Sequence, residues 1–100
     1  MTRPRSERPF VEEVPRLLEQ RGLSIRAVAR TAGVDHSFLW RVLKARNYKR
    51  PTLQLTRKIA TALDLPEDYF PEYREASIIE RLRRDPEWRD RLYDQELGGD

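Results

Sequence analysis

The sequence predicts an all-α protein, a bundle of about five helices followed by two further helices at its C-terminal end. Three observations predict it. Apolar residues recur at the three- and four-residue spacing of one helical face: Phe10, Val14, Leu17 and Leu18; Val28 and Ala32; Leu39 and Val42; Leu55, Ile59, Ala60 and Leu63. Residues able to accept from the free amides of a first helical turn stand ahead of these runs, as Ser24, Asp35 and Thr52. Glycines break them, Gly22 after the first and Gly33 between the second and third, where a residue without a β-carbon lets the chain turn sharply.

In chain order, residues 1–9 hold two prolines and three arginines with almost nothing apolar, which predicts a flexible basic arm. The first helix follows, from Phe10 to Gly22. Pro15 lies within it, so the helix either kinks there or begins close to it, because the proline ring meets the carbonyl of Val11. A second helix is expected from Ile25 to about Thr31 and a third from His36 to about Leu43. Ala29 lies four residues before Gly33, and its methyl side chain permits a close approach of the third helix. The fourth helix has Leu55, Ile59, Ala60 and Leu63 on its inner face. Leu65 to Phe70 then fits one short helical turn that closes the core with two aromatics. Beyond it, residues 71–100 form an extension in which Tyr73, Ala76, Ile78, Ile79 and Leu82 mark one helix. Asp85-Pro86, a cap and a first-turn proline, opens another with Trp88, Leu92 and Tyr93 on one side.

One hundred residues suit a single domain with a modest core. With no cysteine and one histidine, disulfides and a Cys/His zinc site are excluded. No run is long enough to span a bilayer and no apolar segment follows the N-terminus, so the chain reads as soluble, untargeted and cytoplasmic. The net charge of +3 is segregated, +6 over Met1 to Phe70 and −3 over Pro71 to Asp100. From His36 to Leu63 there is no acidic residue, yet Arg41, Lys44, Arg46, Lys49, Arg50, Arg57 and Lys58 fall there. A patch of one sign suits a polyanion, because neutralising phosphates releases condensed counterions. An enzyme is not expected: there is no glycine-rich phosphate loop and no pair of carboxylates in an apolar setting. No cofactor is implied.

The stretch Ser24-Ile25-Arg26-Ala27-Val28-Ala29-Arg30-Thr31-Ala32-Gly33-Val34-Asp35 resembles the helix-turn-helix of the lambda-repressor and Cro-like family, often called XRE. Lys49-Arg50-Pro51 with Leu55, Ile59, Ala60 and Leu63 resembles the loop and fourth helix of its phage repressors, and the likeness covers residues 10–70. Ala29, Gly33, Val34, Leu39 and Val42 are then the structural positions of the motif. The resemblance implies a DNA-binding domain whose recognition helix, 36–43, enters a groove. By match to the motif, His36, Ser37 and Arg41 occupy base-contacting positions, and arginine can bond guanine bidentately. Lys44, Arg46, Asn47, Lys49 and Arg50 are the expected donors to phosphates. Ile25 stands where family members often place a glutamine that holds the DNA backbone. Phe38 and Trp40 stand where the family favours small or polar residues; Phe38 is expected to pack on neighbouring helices, whereas Trp40 is open between packing and a contact at the groove edge.

The implied function is a sequence-specific transcription regulator, in its simplest form a repressor that binds a pseudo-palindromic operator on double-stranded DNA as a homodimer. Ile78, Ile79, Leu82, Trp88 and Leu92 are the dimer candidates, because two amphipathic helices with little chain left to cover them must pack on the domain, on each other or on a second copy. The alternative keeps the fold as a protein-interaction module, an antitoxin or adaptor whose acidic C-terminal helices hold a protein partner.

Overall fold

The computed structural model describes residues 3–44 and 50–98. Among them are six helices and no strand: α1 (Phe10–Arg21), α2 (Ile25–Ala32), α3 (His36–Lys44), α4 (Leu53–Ala62), α5 (Pro71–Arg84) and α6 (Pro86–Glu96). One core holds the first four together. Phe10, Val14, Leu17 and Leu18 of α1 meet Val28 and Ala29 of α2, Leu39, Val42 and Leu43 of α3, and Leu55, Ile59 and Ala60 of α4. Burying one large side chain such as Phe10 or Leu39 contributes on the order of 2 kcal/mol. Helix α3 packs on α1 and α2, α4 on α2, α5 on α4, and α6 on α5.

Helix α1 begins well before Pro15 and runs through it. Pro15 has no N–H for the Val11 carbonyl, and Val11 lies on the exposed face of the helix. The start of α1 is unusual: Pro9 precedes it and has no side-chain acceptor, so the cap comes from 62 residues away. The Phe10 N–H donates to both carboxylate oxygens of Glu72, at 3.1 and 3.0 Å, and Glu72 is buried in the first turn of α5. A buried anion at a helix N-terminus also faces the positive end of the helix dipole.

Leu65 to Phe70 forms a turn, with the Tyr69 N–H on the Pro66 carbonyl at 3.0 Å, where one helical turn was expected. Pro66 has no N–H to continue a helical ladder. The expected closure is kept: Phe70 is fully buried and meets the rings of Phe10 and Tyr69 edge-on at 4.9 and 5.2 Å. Arg3 to Pro9 carries no helix, yet it lies against the body. Ser6 is buried, its N–H donates to the Tyr69 carbonyl at 2.8 Å, and its carbonyl accepts from the Arg74 guanidinium at 2.8 Å. Arg74 also donates to the carbonyls of Asp68 and Tyr69. The first turns of α5 therefore tie the N-terminal segment and the 65–70 turn to the four-helix core.

Candidate nucleic-acid interface

Local chemistry sets how α2 and α3 meet. The Ser24 hydroxyl accepts from the Ala27 N–H at 3.0 Å, and an Asp35 carboxylate oxygen accepts from the Phe38 N–H at 2.9 Å, so both helices start on side-chain caps. Between them Gly33 adopts φ 73° and ψ 32°. The N–H groups of Gly33 and Val34 return to the carbonyls of Arg30 and Ala29, at 3.2 and 3.0 Å, which closes the turn. A β-carbon on Gly33 would meet open space, so the demand for glycine is one of backbone conformation. Ala29 is buried in the core, and Val34 packs partly against it.

In α3, Leu39, Val42 and Leu43 face inward. At 100° per residue, Ser37, Arg41 and Lys44 then form a stripe on the opposite side, and all three are exposed. His36, the first residue of the helix, is exposed as well. Among the described residues no ion pair involves Arg41 or Lys44. Arg46, Asn47 and Lys49 lie outside the described residues.

Phe38 corrects the expectation drawn from sequence. It is 39% exposed and takes no part in the core. Its direction explains this: Phe38 and Trp40 diverge from the core-facing direction by about 100° on either side when Leu39 is centred there, which sets them on the flanks of the helix rather than on its inner face. Trp40 is 53% exposed.

Arg50 is exposed and its guanidinium pairs with the Glu75 carboxylate on α5. The pair is solvent-facing on both sides, so it contributes little to stability and leaves Arg50 able to exchange partners. Sequence reasoning passed over Arg26. This residue lies exposed in the first turn of α2 and lines a hollow of about 220 Å³ together with Ile25, His36, Ser37, Trp40 and Arg41. The available signal was its place two residues after the Ser24 cap, at the helix end that abuts the start of α3.

Among the described residues there is no cluster of His, Asp or Glu arranged to hold a metal ion, and no helix is long and apolar enough to cross a membrane. The arrangement offers cations, a hydroxyl, an imidazole and two aromatic faces to a ligand, with α3 carrying most of them.

No curated protein and no solved structure matches the chain. A family model described as a helix-turn-helix domain matches residues 10–72, from the start of α1 to the Glu72 that caps it. By that match, together with the Gly33 turn and the outward stripe of α3, the chain belongs to the helix-turn-helix domain family of DNA-binding proteins, as its likeness to lambda-repressor and Cro-like proteins implied.

Proposed function

We propose that the protein is a cytoplasmic transcription regulator, in its simplest form a repressor, that binds a pseudo-palindromic operator as a dimer. The observation that carries this reading is the exposed stripe of Ser37, Arg41 and Lys44, with His36 at its head, on the second helix of a helix-turn-helix. The N-terminal end of that helix enters the major groove. Arg41 reads a guanine, His36 and Ser37 touch neighbouring base edges, and Lys44 and Arg50 meet phosphates on either side. Arg46, Asn47 and Lys49 extend the same basic run in the sequence and join the phosphate contacts. The proposed activity is binding, with no catalytic step.

The dimer is supported by the C-terminal helices. Ile78 and Ile79 are 51% and 48% exposed on α5, on the side away from Tyr73, Ala76 and Ser77. Leu82, Trp88 and Leu92 are half-buried, and the Arg81 guanidinium lies 4.6 Å from the centre of the Trp88 ring. Tyr93 and Leu97 add exposed apolar area on α6. A surface of this kind fits a second copy, which a two-fold operator requires one helical turn away. The same residues also fit a protein partner, as in an antitoxin or adaptor.

Selection of bound duplexes from a random DNA pool tests the proposal. A pseudo-palindrome with half-sites about 10 base pairs apart is the expected product. A pool that shows no enrichment contradicts DNA readout, and a single unrepeated half-site bound by a monomer contradicts the dimer.

A further inference from the structure

Two of the three departures of this chain from the family pattern, Ile25 and Trp40, are distant in sequence but line the same hollow, whereas Phe38 does not. That hollow lies between the first turn of α2 and the outward side of α3. Its remaining lining is Arg26, His36, Ser37 and Arg41, three of them the proposed base readers. Among the described residues no acidic side chain lines it.

We infer that this hollow seats the C5 methyl group of a thymine next to the base pair read by Arg41. The inference rests on the DNA-binding reading above and deepens it. In the major groove thymine differs from cytosine partly by that methyl group, which only an apolar contact can recognise. A half-buried Ile25 and a Trp40 indole 53% exposed to solvent supply such a contact, and an indole left this open in the free protein gains from being covered. The neighbouring charge selects the occupant. Arg26 and Arg41 favour a methyl group carried on a polyanion over an apolar peptide side chain. A glutamine at position 25 would place an amide in the hollow, whereas isoleucine leaves it apolar. The two departures thus act together, exchanging a polar contact to the backbone for an apolar contact to a base.

The test uses the preferred duplex from selection, with each thymine replaced singly by deoxyuridine, which removes the methyl group and leaves base pairing intact. For the wild-type chain, one position in each half-site is expected to lose about fourfold in affinity, the value of one buried methyl group. Trp40→Ala and Ile25→Gln are expected to bind the thymine and deoxyuridine duplexes equally at that position. Helical circular dichroism of both variants establishes that they fold; Trp40 is exposed, so its replacement leaves the core untouched. The inference fails if no deoxyuridine replacement lowers affinity, or if the loss persists in both folded variants. It fails too if 5-methylcytosine at a cytosine position is what raises affinity, which would assign the hollow to the other methylated pyrimidine. These outcomes leave DNA binding standing; a pool with no preferred duplex overturns both.

Discussion

Single residues show where local rules are obeyed and where they are strained. Asp64 follows the last turn of α4 with φ 60°, a left-handed conformation that side chains with a β-carbon adopt at a cost, while the Leu65 N–H closes the helix end onto the Ala60 carbonyl at 2.9 Å. Its carboxylate also sits at the negative end of the helix dipole. Asp64→Gly is therefore expected to stabilise the protein by about 0.5 to 1 kcal/mol, read as a higher Tm in thermal denaturation. An unchanged or lower Tm contradicts this. Glu13 is the opposite case, a charge that is 2% exposed and fully engaged. The Arg16 guanidinium holds it through two hydrogen bonds of 2.8 and 2.7 Å, and the Tyr69 hydroxyl donates to it. Arg16 chiefly, then Tyr69, hold its carboxyl below the ordinary 4.5, against the opposing effect of burial. Because the folded value is the lower one, this contribution is present above about pH 4.5 and is lost as pH falls through the depressed value. Burial first, and then the neighbouring carboxylate, push the Tyr69 hydroxyl up. Glu13→Gln is expected to cost about 1 to 2 kcal/mol at neutral pH and to flatten the fall of Tm between pH 6 and about pH 3. Parallel acid profiles for the two proteins would remove Glu13 from the account.

At the level of elements, the parts legible in the sequence are those whose causes lie within a few residues. Ser24, Asp35 and Thr52 each accept from an amide three residues ahead, so sequence spacing alone located the starts of α2, α3 and α4. Gly22 and Gly33, both at positive φ, located the ends of α1 and α2 for the same reason. What was not legible depends on distant partners. The Glu72 cap on Phe10, the Arg74 contacts to Ser6, and the docking of Ser6 on Tyr69 join segments more than 60 residues apart. A period-based reading has no access to such pairs. Phe38 has another cause: at about 100° from the centre of the buried face it stands on the flank of the helix, where periodicity does not choose between packing on a neighbouring helix and exposure. The contacts made by α5 predict the outcome of truncation. Ending the chain after Arg84 removes α6, which has no buried residue, and is expected to leave the helical domain folded, with Tm lowered only by what the proposed dimer contributes. Ending it after Pro71 removes Glu72 and Arg74, uncaps α1 and frees the N-terminal segment, and is expected to lower stability by about 2 kcal/mol or more. Circular dichroism melts of both forms decide the matter; equal stability would mean that α5 is an appendage.

For the whole molecule, the radius of gyration is 16.0 Å and the extents are 52 × 35 × 21 Å. A compact chain of this length has about 13 Å. The excess fits an α5–α6 limb carrying its own apolar surface, and the charge follows the same division, +6 over residues 1–70 and −3 over 71–100. The pairing of Arg50 with Glu75 on α5 must be given up for Arg50 to meet DNA. In the proposed complex α3 reads bases while the flanking cations hold the backbone. Titration of wild-type protein, Arg41→Ala and Arg50→Ala against the preferred duplex and a scrambled one, at several salt concentrations, checks this division of roles. Arg41→Ala is expected to lose about 1 to 3 kcal/mol on the preferred duplex and almost nothing on the scrambled one, whereas Arg50→Ala weakens both and flattens the salt dependence by about one unit of log affinity per log salt. Equal weakening of both duplexes by Arg41→Ala would make Arg41 a phosphate contact, and no effect of either substitution would remove both residues from the interface.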